Sequence, residues 1–85
     1  MADGNRVRKL RWLCRRGMKE LDILLERFVG RQQAALADGA WPQMETLLAA
    51  EDDVLWDWIQ NPAASKDDSL VTLLVTIRDE PAATH

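Results

Sequence analysis

The sequence predicts an all-α protein, a single-domain bundle of five small helices, and three observations lead there. Apolar residues recur at three- and four-residue spacing in five separate stretches, the pattern of helices with one buried face. Glycines and prolines (Gly17, Gly30, Pro42, Pro62 and Pro81) fall at the ends of those stretches and not inside them. Only one segment could be read as a strand, and a strand without a pairing partner leaves its backbone groups unsatisfied. A chain of 85 residues makes one domain with a thin core, burying only about 60 to 65% of the surface its unfolded form exposes.

Residues 1–5 contain Gly4 and no apolar pattern, so they are expected to form a loose, disordered tail ahead of a helical domain spanning 6–79. The first helix, Arg6 to Arg16, sets Val7, Leu10, Leu13 and Cys14 on one face, among Arg6, Arg8, Lys9, Arg11 and Arg15. Gly17 marks the corner into a second helix, whose stripe is Met18, Leu21, Leu24, Leu25 and Phe28, and Gly30 is its expected stop. Residues 32–37 are good helix formers but small, and either extend that helix or form a turn ending at Asp38–Gly39.

Pro42 suits the first turn of a third helix, where its missing N–H costs nothing; Met44, Leu47 and Leu48 supply its buried side, with Trp41 packed just before it. Asp52 or Asp53 is placed to cap a fourth helix carrying Leu55, Trp58 and Ile59. Asn61–Pro62 ends it, because the residue before a proline is pushed out of the helical region. A polar linker, 63–68, follows. Between Ser69 and Arg78 the β-branched content favours a strand, but Leu70, Leu73, Leu74 and Ile77 fit a helix and nothing else could pair with a strand, so the segment is read as helix. Pro81 closes it, and 80–85 form a C-terminal tail.

The formal charge of −3 hides an uneven layout: nine basic residues against four acidic in 1–31, and two against ten in 32–85, leaving halves near +5 and −8. Such polarity steers partners and says little about fold. A lone cysteine, Cys14, excludes an internal disulfide and points to a reducing compartment. With no secretory signal, and with Leu70 to Ile77 far short of the roughly 20 residues a membrane-spanning helix needs, a cytoplasmic chain without membrane insertion is expected.

The catalytic inventory is nearly empty. The only histidine is His85, at the last position, and Cys14 lies on an apolar stripe with no base to activate it. No glycine-rich phosphate loop and no metal-ligand spacing accompany them. The sequence therefore points to a protein that binds, not to an enzyme.

One stretch stands out: Arg15, Arg16, Gly17, Met18, Lys19, Glu20, Leu21 and Asp22. On a helix, Arg16 and Glu20 would share a side, and by itself such a pair is a solvated ion pair worth a few tenths of a kcal/mol. The spacing Arg16–Gly17–x–x–Glu20, followed by Leu21–Asp22 and then Leu24, Leu25 and Phe28, resembles the signature of the small assembly factors that promote covalent FAD attachment to the flavoprotein subunit of succinate dehydrogenase. The acidic run Glu51–Asp52–Asp53 before Val54, Leu55, Trp56, Asp57 and Trp58 is similar too, and the resemblance covers roughly residues 6–78.

The resemblance implies the same helical architecture and an assembly factor that is not itself catalytic. It implies a partner, the flavoprotein subunit of succinate dehydrogenase, with that of fumarate reductase as a further candidate. FAD is then carried by the partner, with no cofactor bound stably by this chain, which is expected to be a monomer when free. Arg16, Gly17 and Glu20 carry over as partner-binding residues; Met18, Lys19 and Asp22 support them, although Met18 is also in phase with the core. Four tryptophans in so short a chain are mostly explained by packing, and Trp58 falls on a buried stripe. Trp12 and Trp56 fall off their stripes and are the candidates for exposure, Trp12 lying one turn before Arg16 and so joining the partner-binding set.

Two other readings of the same helices compete with this one. The basic first helix carries the charge to touch phosphates of nucleic acid or lipid, but a solvated basic face is commoner, no nucleic-acid-binding motif accompanies it and the chain as a whole is acidic, so no nucleic-acid partner is expected; an intermediate reading has its arginines docking onto an acidic region of the flavoprotein. A regulatory or antitoxin-like module acting on a membrane or cytoskeletal partner is the alternative from a different class.

Overall fold

The computed structural model describes residues 4–79. Six helices follow in order: α1 Gly4–Leu13, α2 Lys19–Arg31, α3 Gln33–Ala37, α4 Met44–Leu48, α5 Asp52–Gln60 and α6 Asp68–Asp79, with a 3-10 turn, Pro62–Ser65, between the last two. The expected all-α architecture is present, and no strand occurs among the described residues. The sixth helix is α3, the segment whose small side chains left helix and turn equally open.

The periodic leucines decide the centre. Leu21, Leu25, Phe28 and Val29 of α2 are fully buried, and α2 packs against α1, α3 and α6. Val7 and Leu10 reach the core from α1 and Cys14 from the turn after it, Met44, Leu47 and Leu48 from α4, Leu55 and Ile59 from α5, and Leu70, Leu73, Leu74 and Ile77 from α6. Burying one such side chain is worth about 1.5–3 kcal/mol. Trp41 closes the cluster, its ring meeting Phe28 edge-on at 5.7 Å and 68°.

Helix ends differ from the sequence reading in several places. Gly4 and Asn5, assigned to a tail, already belong to α1; residues 1–3 and 80–85, with Pro81 and His85, lie outside the described residues. α1 stops at Leu13 and does not reach Arg16. Gly30 is not a stop but lies inside α2, which ends one residue later with the Gln32 N–H donating to the Phe28 carbonyl. Neither Asp52 nor Asp53 is the cap of α5: Glu51 holds that position without a side-chain bond, while the Asp53 carboxylate accepts from the Val54 N–H at 2.9 Å. The expected end of α5 before Pro62 is present, with Asn61 at φ −140°.

The supposed linker is ordered. Pro62 is buried at the head of its 3-10 turn, and Asp67 caps α6 by accepting from the Ser69 and Leu70 N–H groups at 3.0 and 3.4 Å. α6 is helical despite its β-branched residues because four of its side chains are buried, and its threonine hydroxyls find acceptors one turn back along the helix. Thr72 Oγ1 donates to the Asp68 carbonyl at 3.2 Å and Thr76 Oγ1 to that of Thr72 at 2.8 Å. Trp56 is half-buried against the core, not exposed, as is Trp58.

Two arginines fasten distant parts of the chain. Arg6, only 13% exposed, donates from Nε and Nη2 to both carboxylate oxygens of Glu45 at 2.9 and 3.1 Å, and from Nη1 and Nη2 to the carbonyls of Leu36, Ala40 and Trp41. Trp41 has φ +53°, a left-handed conformation that costs a bulky residue free energy. Its bond to Arg6 and its packing on Phe28 offset that cost. The second fastener, Arg16, belongs to the candidate site.

Candidate functional site

After Leu13 the chain leaves α1 through a short turn in which the Arg15 N–H donates to the Trp12 carbonyl at 3.2 Å. Gly17, at φ +85°, then reverses direction, and Met18 is the N-cap of α2 without a side-chain capping bond. Asp22 supplies the missing acceptor from inside the helix, its carboxylate taking the Arg16 N–H at 2.8 Å and the Gly17 N–H at 3.3 Å. This carboxylate fixes the corner and satisfies two backbone donors that otherwise have no partner in the turn.

Arg16 is turned inward, with its side chain only 12% exposed. Its Nε donates to Asp52 Oδ1 at 2.6 Å, its Nη1 to the carbonyls of Leu13 at 3.1 Å and Leu48 at 2.9 Å, and its Nη2 to that of Ala50. One planar guanidinium thus collects the terminal carbonyls of α1 and α4 together with an acid in the first turn of α5, and its positive charge complements the negative C-terminal ends of α1 and α4. Arg16 and Glu20 therefore do not share a helix side: Arg16 lies outside any helix, and its side chain serves the corner's own attachment.

What faces outward is the remainder. Gly17, Lys19 and Glu20 are exposed, and Met18 is half-buried against the core, as its phase predicts. Asp22 is half-buried and spent on the corner. A Cβ on Gly17 would meet nothing within 4 Å, so it is the positive φ, not crowding, that favours glycine. The backbone there is open to close approach from outside.

Trp12 is 72% exposed, the largest apolar side chain that the described surface leaves in water. With Leu13, Arg15, Arg16, Leu48 and Asp52 it lines a concavity of about 330 Å³ beside the corner. Cys14, just behind, is fully buried, and burial pushes its thiol up to about 12, which makes it an inert core residue.

Sequence reasoning missed Asp52 as Arg16's partner, Asp22 as the corner's acceptor and Arg6 as a fastener. The acidic run at 51–53 was visible, but nothing local ties it to an arginine 36 positions earlier.

The family model described as "Flavinator of succinate dehydrogenase" matches residues 8–80. The chain belongs to this family. Among curated relatives, the FAD assembly factor SdhE of Xylella fastidiosa (strain 9a5c) is 38% identical over 82 residues, covering 96% of this chain and 84% of the relative. The protein of that name from Shewanella oneidensis is 34% identical over 89% of this chain and 93% of its own. That of Coxiella burnetii reaches 46% over a shorter stretch, 61% of this chain and 63% of the relative. No solved structure matches. Membership of the flavinator family places the chain among FAD assembly factors, not among enzymes. No helix among the described residues is long and apolar enough to cross a membrane.

Proposed function

We propose that this chain acts in the cytoplasm by docking its α1–α2 corner onto the flavoprotein subunit of succinate dehydrogenase, with FAD already held by that subunit, and so promotes covalent attachment of the flavin. The observation that carries the reading is the build of the corner. Asp22 and Arg16 fasten it from behind, which leaves the Gly17 backbone, Lys19 and Glu20 facing out on a corner whose backbone has little entropy left to lose on binding.

The helper contributes position, not reactivity. The groups that bond the flavin belong to the partner, and holding the partner's domains so that its acceptor side chain approaches the flavin can lower the barrier by several kcal/mol. Gly17 permits the partner's surface to come within backbone distance. Glu20, in the first turn of α2, is available to a cationic or N–H donor on the partner. Lys19 adds a charge of the opposite sign beside it, which fixes orientation more than affinity.

Titration calorimetry of the purified chain against the FAD-loaded flavoprotein subunit tests the docking step. Gly17→Arg, which places a long side chain where the partner must approach, abolishes binding while leaving the helical circular dichroism intact. Full binding by that variant contradicts the assignment. The same titration against the fumarate reductase flavoprotein decides whether that subunit is also a client.

A further inference from the structure

The geometry points to a second contact on the same docking surface: the outer face of α1 and the turn that follows it, Arg8, Arg11 and Arg15 around Trp12, takes a short acidic segment of the flavoprotein partner in extended conformation. The inference rests on the docking reading above and adds the chemistry of what lies beside the corner.

Positions 8, 11 and 12 share one side of α1 while Val7 and Leu10 go to the core, and Arg15, in the turn just past the helix end, lies beside them. Together those four line a concavity of about 250 Å³ whose walls include no carboxylate. α1 itself contains neither Asp nor Glu. Of the five arginines and lysines from Arg6 to Arg15, Arg6 is withdrawn into its fastener, and Arg16 beyond them is withdrawn likewise. The charge lining this concavity is that of Arg8, Arg11 and Arg15, with Lys9 exposed outside it, on a chain whose formal charge is −3. Arg11 is steadied by donating from Nη2 to Gln33 Oε1 at 3.2 Å.

Size sets the length of the occupant. At about 1.5 Å per residue the helical part of the face runs roughly 6 Å from Arg8 to Trp12, and with Arg15 just past the helix end an extended peptide covers it in about three or four residues. Three planar guanidinium forks suit two or three carboxylates, and Trp12, standing among them, offers an apolar and π surface to whatever side chain lies between.

A phosphate-bearing surface would satisfy the same forks, but two observations favour protein. Trp12 and Arg15 also line the larger concavity beside the corner, so one continuous surface meets one partner. A lipid surface asks for several inserted apolar side chains, and of the exposed large ones, Trp12, Ile23 and Val54, Trp12 alone lies on this face.

The test is association and dissociation kinetics of the full chain with the FAD-loaded flavoprotein subunit at low and high ionic strength, with a photo-crosslinking amino acid placed at position 12 in a parallel sample. The triple variant Arg8→Ala, Arg11→Ala, Arg15→Ala slows association about tenfold at low salt and flattens its salt dependence, as loss of steering charges does. Trp12→Ala acts chiefly by speeding dissociation, and the crosslinked partner peptide is rich in Asp and Glu. The inference is overturned if the triple variant keeps the wild-type association rate and salt slope, or if the captured peptide carries no carboxylates. It is overturned equally if the triple variant loses binding to phosphatidylglycerol vesicles while its binding to the flavoprotein is unchanged. Loss of binding on Gly17→Arg alongside a normal triple variant removes this inference alone, whereas a wild-type chain that does not bind the flavoprotein removes the docking reading and this contact with it.

Discussion

Arg16 Nε and Asp52 Oδ1 stand 2.6 Å apart, joining the corner between the first two helices to the start of α5 across 36 positions of sequence. The pair is lopsided: the arginine is 12% exposed and accepts no substitute for its three carbonyl partners, while the aspartate is 43% exposed and has water as an alternative. Arg16→Ala is therefore expected to cost about 1–3 kcal/mol, since it leaves three part-buried carbonyls without their donor, and Asp52→Asn about 1 kcal/mol or less. Urea unfolding followed by circular dichroism checks both, and equal losses would contradict this division.

Acid should loosen the other fastener. The hydrogen bond from Arg6 holds the Glu45 carboxyl below the usual carboxylate range. A value depressed in the folded state means the unfolded chain takes the proton more readily. The stabilisation is thus complete above the ordinary glutamate value of about 4.3 and is lost as pH falls through the lower folded value. Asp67, lowered by its bonds from Ser69, acts with the same sign. Glu45→Gln should lower stability at neutral pH and make its decline between neutrality and about pH 3 shallower than the wild type's. Urea midpoints across that range measure it, and an unchanged slope would count against the pair.

The thiol of Cys14 should be silent. With its value pushed up to about 12 and no exposed surface, it reacts with a colorimetric disulfide reagent at neutral pH only after unfolding. Prompt labelling of the native chain would contradict its placement in the core.

Two glycines should respond in opposite directions to alanine. Gly30 is helical with open space where a Cβ would go, so Gly30→Ala should stabilise by about 0.5–1 kcal/mol. Gly17 has equal space but φ +85°, and Gly17→Ala should destabilise by about 1 kcal/mol through backbone strain. Thermal melts of the two variants should move apart.

The five strong stripes were legible because burial follows spacing: Leu21, Leu25 and Phe28, or Leu70, Leu73, Leu74 and Ile77, can all face inward only on a helix. α3 was not, since Ala34, Ala35 and Ala37 give no apolar stripe and their helicity depends on packing against α1 and α2. At the site, Gly17 was readable from its residue type and Trp12 from its position off the stripe. The inward turn of Arg16 was not. Most of its acceptors, like most of those of Arg6, are backbone carbonyls, which every residue type possesses and which therefore leave no mark in a sequence. That is why an exposed ion pair between Arg16 and Glu20 looked reasonable and is absent.

The most direct test of the docking corner is the yield of covalent flavin on the succinate dehydrogenase flavoprotein, read by in-gel fluorescence in cells whose own copy of this gene has been replaced by a variant. Gly17→Arg and Glu20→Ala, each shown to be folded by circular dichroism, should leave the flavoprotein with little bonded flavin, while Gly30→Ala leaves the yield at the wild-type level. Normal flavin attachment with both corner variants would contradict the account.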